Sequence, residues 1–201
     1  MPQRDIRIVI LGDSSISAAG DPRGMGWVGR VTAKTPSTDR RVDIFALPVP
    51  NETSGQLAER WKAEAGRRFS PETDNRLVIA LNNLDPASGT SISRSRLNIA
   101  TILDDCKRAG IGTFLVGPLP SHNPELNRDI EHLASGYEDV ASRRGITFVD
   151  CFRPLVGHEG WNREIEASDH NLPGQVGYGL FAWLILNRGW YEWLGLEPAE
   201  S

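Results

Sequence analysis

The chain has 201 residues, 39% of them apolar and 24% charged, which suits one soluble globular domain spanning residues 1–201 with a substantial core. Its formal net charge is −4 and its lysines and arginines are spread along the chain, which argues against nucleic acid or an anionic membrane as the main partner. No apolar run approaches the roughly 18 residues a membrane span needs.

The N-terminus, Met1-Pro-Gln-Arg-Asp, has no basic region followed by a long apolar stretch. The expectation is therefore a cytoplasmic protein. Cys106 and Cys151 lie far apart without paired spacing, so neither a zinc site nor a disulfide framework follows, and each reads as a small buried apolar residue.

Ile6–Leu11 is a β-branched run ending at Gly12, the pattern of a strand buried on both faces. A helix is expected over Gly24–Lys34, a second strand over Val42–Leu47, and a helix from Thr53 or Ser54 to about Phe69, with Leu57, Trp61 and Ala65 on one face. Arg76–Leu81 reads as a third strand. Ser93–Ala109 reads as a helix stopped by Gly110, and Gly112–Val116 as a fourth strand. Pro124–Arg144 is a further helix and Ile146–Val149 a fifth strand. From about Gly174 a last helix carries Val176, Leu180, Trp183, Leu184, Trp190 and Trp193. Its aromatic residues read first as core packing against the sheet, and second as a lid or the face of a homo-oligomer.

Short apolar strands alternating with helices imply right-handed βαβ units. The predicted fold class is α/β, a three-layer αβα sandwich with a five-stranded parallel sheet of flavodoxin-like topology. In such sheets ligands bind at the carboxyl ends of the strands. The residues placed there carry the chemistry. After strand one comes Gly12-Asp13-Ser14-Ser15, where a serine on a tight turn can act as a nucleophile beside free backbone amides. It can equally serve as a helix cap. After strand two comes Asn51-Glu52-Thr53-Ser54-Gly55, and Gly55 can offer an unencumbered amide at a helix start. After strand three comes Asn82-Asn83, where a side-chain amide can stabilise developing negative charge or simply form an Asx turn. Before the last helix comes Ser168-Asp169-His170-Asn171-Leu172-Pro173, with an acid and an imidazole side by side.

Taken together and in this order, these motifs resemble those of the SGNH hydrolases, the GDSL-like esterase/lipase family, over essentially the whole chain. The resemblance implies a serine hydrolase of carboxylic esters or thioesters without metal or cofactor, acting on a small-molecule acyl ester. It assigns Ser14 as nucleophile, with its own amide, Gly55 and Asn82 as oxyanion donors, and Asp169 and His170 as the acid–base pair. Gly20-Asp21-Pro22 and Gly26-Trp27-Val28-Gly29-Arg30 resemble a bacterial branch of small GDSL-like lipases.

The last block departs from the family pattern. Aligned through Pro173, Gly177 and Tyr178, Asp169 falls on the family's catalytic Asp, but Leu172 falls on its His. With His170 as base, the residue three before it is Ala167. Ala80 and Asn83 also stand where the family has Gly and Asp. Losing one triad member commonly lowers kcat by about 10⁴ to 10⁶. Three rescues follow: His170 turning inward, His122 reaching Ser14 from the loop after strand four, or a base supplied by the substrate. His132 and His158 lie on a helix and a separate loop. The alternative function is a catalytically degenerate member that binds an acyl or carbohydrate ligand. A nucleotide-binding reading lacks both a Gly-x-Gly-x-x-Gly loop and a P-loop lysine.

Overall fold

The computed structural model describes residues 4–37, 40–169 and 171–198. Five parallel strands form one sheet: β1 (Ile6–Gly12), β2 (Val42–Pro48), β3 (Asp74–Ala80), β4 (Gly112–Val116) and β5 (Thr147–Val149), in the order β2-β1-β3-β4-β5. The helices between them are α1 (Gly26–Lys34), α2 (Ser54–Gly66), α3 (Ile92–Arg108) and α4 (Pro124–Ser142), followed by α5 (Phe152–Val156), α6 (Glu159–Glu166), α7 (Gln175–Ile185) and α8 (Tyr191–Leu194).

The strands are central because they can be buried on both faces. Ile6, Ile8 and Ile10 point to a core shared with Trp27, Phe181 and Trp190, which puts α1 and α7 on that side. Val9 and Leu11 point the other way, to Leu57, Trp61, Ile99, Leu103 and Tyr137 of α2, α3 and α4. The alternation follows from the two-residue period of a strand, and it produces the three layers.

Local chemistry sets most helix starts. Thr53 Oγ1 accepts from Gln56 N, and the Gln56 side chain returns a bond to Thr53 N, a capping box for α2. Ser91 caps α3 and Asn123 caps α4, with Pro124 in its first turn. The N-terminus of α7 is capped from a distance: Glu164 on α6 accepts from Gly174 N at 2.9 Å, Val176 N at 2.9 Å and Gly177 N at 2.6 Å.

Several boundaries differ from expectation. The first helix starts at Gly26 rather than Gly24, because both glycines have positive φ and Asp21 accepts from Gly26 N at 2.9 Å. The second helix ends at Gly66, short of Phe69, and α5 and α6 occupy a stretch with no predicted element. The last helix is not continuous. It breaks at Leu186–Trp190, where Arg188 has φ −127° and Gly189 has φ +102°. The break lets Trp190 and Trp193 turn under the sheet beside Phe114, with ring centroids 5.5 and 5.1 Å away. Trp190 Nε1 donates to Thr35 Oγ1 at 3.0 Å. Trp183 instead stands 59% exposed.

Both cysteines are free and buried. Burial pushes the Cys106 thiol up to about 12 and the Cys151 thiol well above the ordinary range, so both stay protonated and unreactive. Among the described residues no helix is long and apolar enough to cross a membrane.

Candidate active site

β1 ends at Gly12, and the chain turns at once into a single 3₁₀ turn, Ser14–Ile16. Asp13 caps this turn, its Oδ1 accepting from Ser15 N at 2.9 Å. Burial raises the Asp13 carboxyl above its ordinary range, against the lowering effect of that hydrogen bond. Ser14 is thus the first residue of a helical turn, where backbone amides lack intrahelical partners. Gly12 permits the turn to sit tightly on β3: a Cβ there would stand 2.8 Å from Ala80 O and 2.9 Å from Ala80 Cβ. Ala80 itself does not have positive φ, so alanine is unstrained where the family has glycine.

Ser14 is half-buried in the wall of a small cleft of about 120 Å³. Its Oγ has no hydrogen-bond partner among the described residues. The β3 loop contributes Leu81, Asn83 and Leu84, and the β4 loop contributes Leu119. Asn51, Asn171 and Leu172 complete the lining. Asn51 and Asn171 both have positive φ, at 56° and 52°. That region is rare for residues other than glycine, and Asn is among the few that tolerate it.

The loops are fastened to one another. Arg60 on α2 forms a buried two-point pair with Glu52 and donates through Nη2 to Leu47 O at 3.0 Å, fixing the chain between Asn51 and α2 to the end of β2. Burial raises the Glu52 carboxyl, partly offset by Arg60. Asn82 Oδ1 accepts from Leu84 N at 2.8 Å and Asp85 N at 3.0 Å. This Asx turn leaves Nδ2 without a hydrogen bond among the described residues. Asp85 is fully buried and accepts from Ser54 N (2.9 Å), Ser95 Oγ (2.5 Å) and Tyr137 OH (3.3 Å), locking the β3 loop to the start of α2. Asn83 Nδ2 donates to Leu119 O at 2.8 Å, joining the β3 and β4 loops.

Next to the cleft, the exposed His122 donates its backbone N–H to the lining residue Asn171 at Oδ1, 3.2 Å away, and His122 Nδ1 lies 3.0 Å from the same oxygen. Leu172 N donates to Ser168 Oγ at 3.2 Å. Beneath Ser14, Asp21 accepts from Arg23 N, Gly26 N and Arg30, and the Arg30 contact lowers its carboxyl to about 2. Tyr178 OH reaches Ala19 O at 2.9 Å, tying this loop to α7.

The structure brings together the chain around Ser14, the loop carrying Asn82, and the Asn171-Leu172 pair. It does not bring Gly55 to the cleft. Gly55 lies in the first turn of α2, between Ser54 N, bonded to Asp85, and Gln56 N, bonded to Thr53. Asn51 lines the cleft in that region instead. Asp169 is exposed and makes no hydrogen bond or ion pair among the described residues. His170 lies outside the described residues. His158 caps α6 through Nδ1, which accepts from Gly160 N at 3.1 Å, and His132 is an exposed residue of α4. Sequence reasoning missed the roles of Asn51 and Asn171, although Pro50-Asn51 and Asn171-Leu172-Pro173 are turn-prone pairings. Among the described residues no group of three or more His, Cys, Asp or Glu side chains could hold a metal.

The fold and the serine-bearing turn at the end of β1 can be set beside known proteins. No curated protein sequence matches it. Among solved structures it is similar to the esterase EstA from Pseudoalteromonas sp., with a TM-score of 0.71 and 19% identity over 94% of this chain and 98% of that one. It is similar to the lipase/acylhydrolase from Enterococcus faecalis at 0.71 and 19%, over 97% and 99%. It is also similar to a catalytic mutant of the acetylxylan esterase Axe2 from Geobacillus stearothermophilus at 0.71 and 16%, over the full length of both. These likenesses establish the fold. The model of the GDSL-like Lipase/Acylhydrolase family matches residues 10–180, and the chain belongs to that family.

Proposed function

We propose that this chain is a hydrolase of small carboxylic esters or thioesters that works through an acyl-enzyme at Ser14. The observation that carries the reading is the position of Ser14: it opens a tight turn at the carboxyl end of β1 and lines the one cleft wall that the β3 and β4 loops also face. Family membership and the names of the structural neighbours, an esterase, a lipase/acylhydrolase and an acetylxylan esterase, support it.

In this reading Ser14 Oγ attacks the acyl carbon. The Ser14 amide, on the first turn of its helix, and Asn82 Nδ2, held by the Asx turn, stabilise the oxyanion. On the β2 loop the sequence assigns a third donor to Gly55, and Asn51 is the residue of that loop that lines the cleft. Asp169 and His170 remain the pair nominated by the sequence, but the exposure of Asp169 gives it no support as an orienting acid.

A second reading, a degenerate member that binds an acyl or carbohydrate ligand, draws on Leu172. An apolar side chain lines the cleft with Ser14 at the position where the family carries its histidine. Hydrolysis of p-nitrophenyl acetate by wild type and Ser14→Ala separates the two. The hydrolase reading expects Ser14→Ala to lose at least about 10³-fold in kcat. Equal, slow rates would leave the degenerate reading standing.

A further inference from the structure

We infer that His122 is the general base for Ser14 and that Asn171 is its positioning residue; the inference rests on the hydrolase reading above. Asn171 Oδ1 meets both the His122 backbone N–H, at 3.2 Å, and His122 Nδ1, at 3.0 Å. A backbone N–H can only donate, so the Asn171 atom it meets is the carbonyl oxygen and not the amide nitrogen. That oxygen can only accept, so Nδ1 must carry the imidazole proton. The tautomer is thereby fixed, and the lone pair is left on Nε2. An acceptor that holds Nδ1–H and frees Nε2 is the arrangement that prepares a histidine to take a proton from a nucleophile, and an asparagine oxygen can supply that orientation without the charge a carboxylate adds.

His122 is exposed and stands behind the cleft lining, joined to it through Asn171. Asn171 lines the cleft together with Ser14, and so does Leu119, three residues before His122 on the same loop. That loop is pinned on both sides of His122. Asn127 accepts from Ser121 N at 2.8 Å and donates to Ser121 O at 2.9 Å, and Asn123 caps α4 by accepting from Glu125 N at 2.9 Å. Asn171 holds a backbone conformation with φ 52° that most residues avoid, and such conformations concentrate at functional sites. By contrast, Asp169 makes no polar contact among the described residues that could orient an imidazole.

The step balances without any further reactant. The Ser14 Oγ–H proton passes to His122 Nε2 as Oγ bonds to the acyl carbon, and the carbonyl electron pair moves to the oxyanion. Collapse of the intermediate breaks the bond to the leaving alcohol or thiol, which takes the proton back from Nε2. Water then repeats the sequence to release the acid.

The test combines p-nitrophenyl acetate kinetics with fluorophosphonate labelling of Ser14, read by intact mass, on the whole protein. The inference predicts that His122→Ala lowers both kcat and the labelling rate by about 10² to 10⁴, with little change in KM. His132→Ala, on exposed α4 surface, leaves both unchanged. Asn171→Gly, which keeps the backbone conformation but removes the acceptor, should lose about tenfold or more in kcat, and Asn171→Asp, which restores an acceptor, should recover most of it. Wild-type rates in His122→Ala, with the loss found in His170→Ala instead, would overturn the inference and leave the hydrolase reading intact. A wild-type protein whose Ser14 takes no label would overturn both.

Discussion

Asp85 is the residue on which three parts of the fold converge, and its removal should be costly in a way that can be counted. Its carboxyl is fully buried and accepts from Ser54 N, Ser95 Oγ and Tyr137 OH. In Asp85→Ala, the Ser95 hydroxyl can still donate to Ser91 O at 3.2 Å. Tyr137 OH stays within reach of the Ser95 and Ser54 hydroxyls, but Ser54 N has no such substitute. Tyr137 cannot escape by ionising, because burial, reinforced by the Asp85 charge, holds its phenol well above the ordinary range. A stranded buried donor costs about 1–3 kcal/mol, so Asp85→Ala, which strands Ser54 N, should lose about 1–3 kcal/mol. Asp85→Asn keeps an oxygen for Ser54 N and presents an amide to two hydroxyls that can rotate to accept it. Its cost should be about 1–2 kcal/mol, the difference between charge-assisted and neutral bonds. Urea unfolding followed by tryptophan fluorescence measures both. A loss below about 1 kcal/mol in Asp85→Ala would refute the view that this carboxylate ties the β3 loop to α2.

Two further perturbations follow from the loop around Ser14. Arg30 lowers the Asp21 carboxyl to about 2, so the stabilisation it contributes is present above the ordinary carboxylate range and is lost as pH falls through about 2. The melting-temperature gap between wild type and Asp21→Asn should therefore stay constant from neutral pH down to about 5 and close below about 4; a gap independent of pH down to 2 would contradict the ion pair. Gly12→Ala places a methyl against Ala80 O and Ala80 Cβ, both backbone-anchored contacts under 3.0 Å. It should cost about 1–3 kcal/mol and displace Ser14, lowering ester hydrolysis by more than tenfold without touching a catalytic group; calorimetry and steady-state kinetics check the two halves.

The layers of the fold were legible because each strand is a short apolar run that must be covered on both faces, and because Thr53 announces the start of α2 by local chemistry. The placement of Ser14 and Asn82 at the carboxyl edge of the sheet was legible for the related reason that strand ends are fixed points in such a sheet. What was hidden depends on residues far apart in sequence. The cap on α7 comes from Glu164, ten residues before Gly174, and the His122–Asn171 contact spans 49 residues. No local pattern encodes either. Gly55 offers a backbone amide at the start of α2, while the residue of that loop that lines the cleft is Asn51, which reaches positive φ without being glycine. The break before α8 was signalled by Gly189, but the surrounding aromatic residues continue a helical pattern strongly enough to mask it.

The central claim is that Ser14 becomes acylated. Rapid quenching of the protein with excess p-nitrophenyl acetate, followed by peptide mass spectrometry, tests it directly. The account predicts a single acetyl group on the peptide carrying Ser14, formed with the first burst of p-nitrophenol and absent from Ser14→Ala. An unmodified Ser14 during turnover, or an acetyl group on another residue that persists in Ser14→Ala, would contradict it.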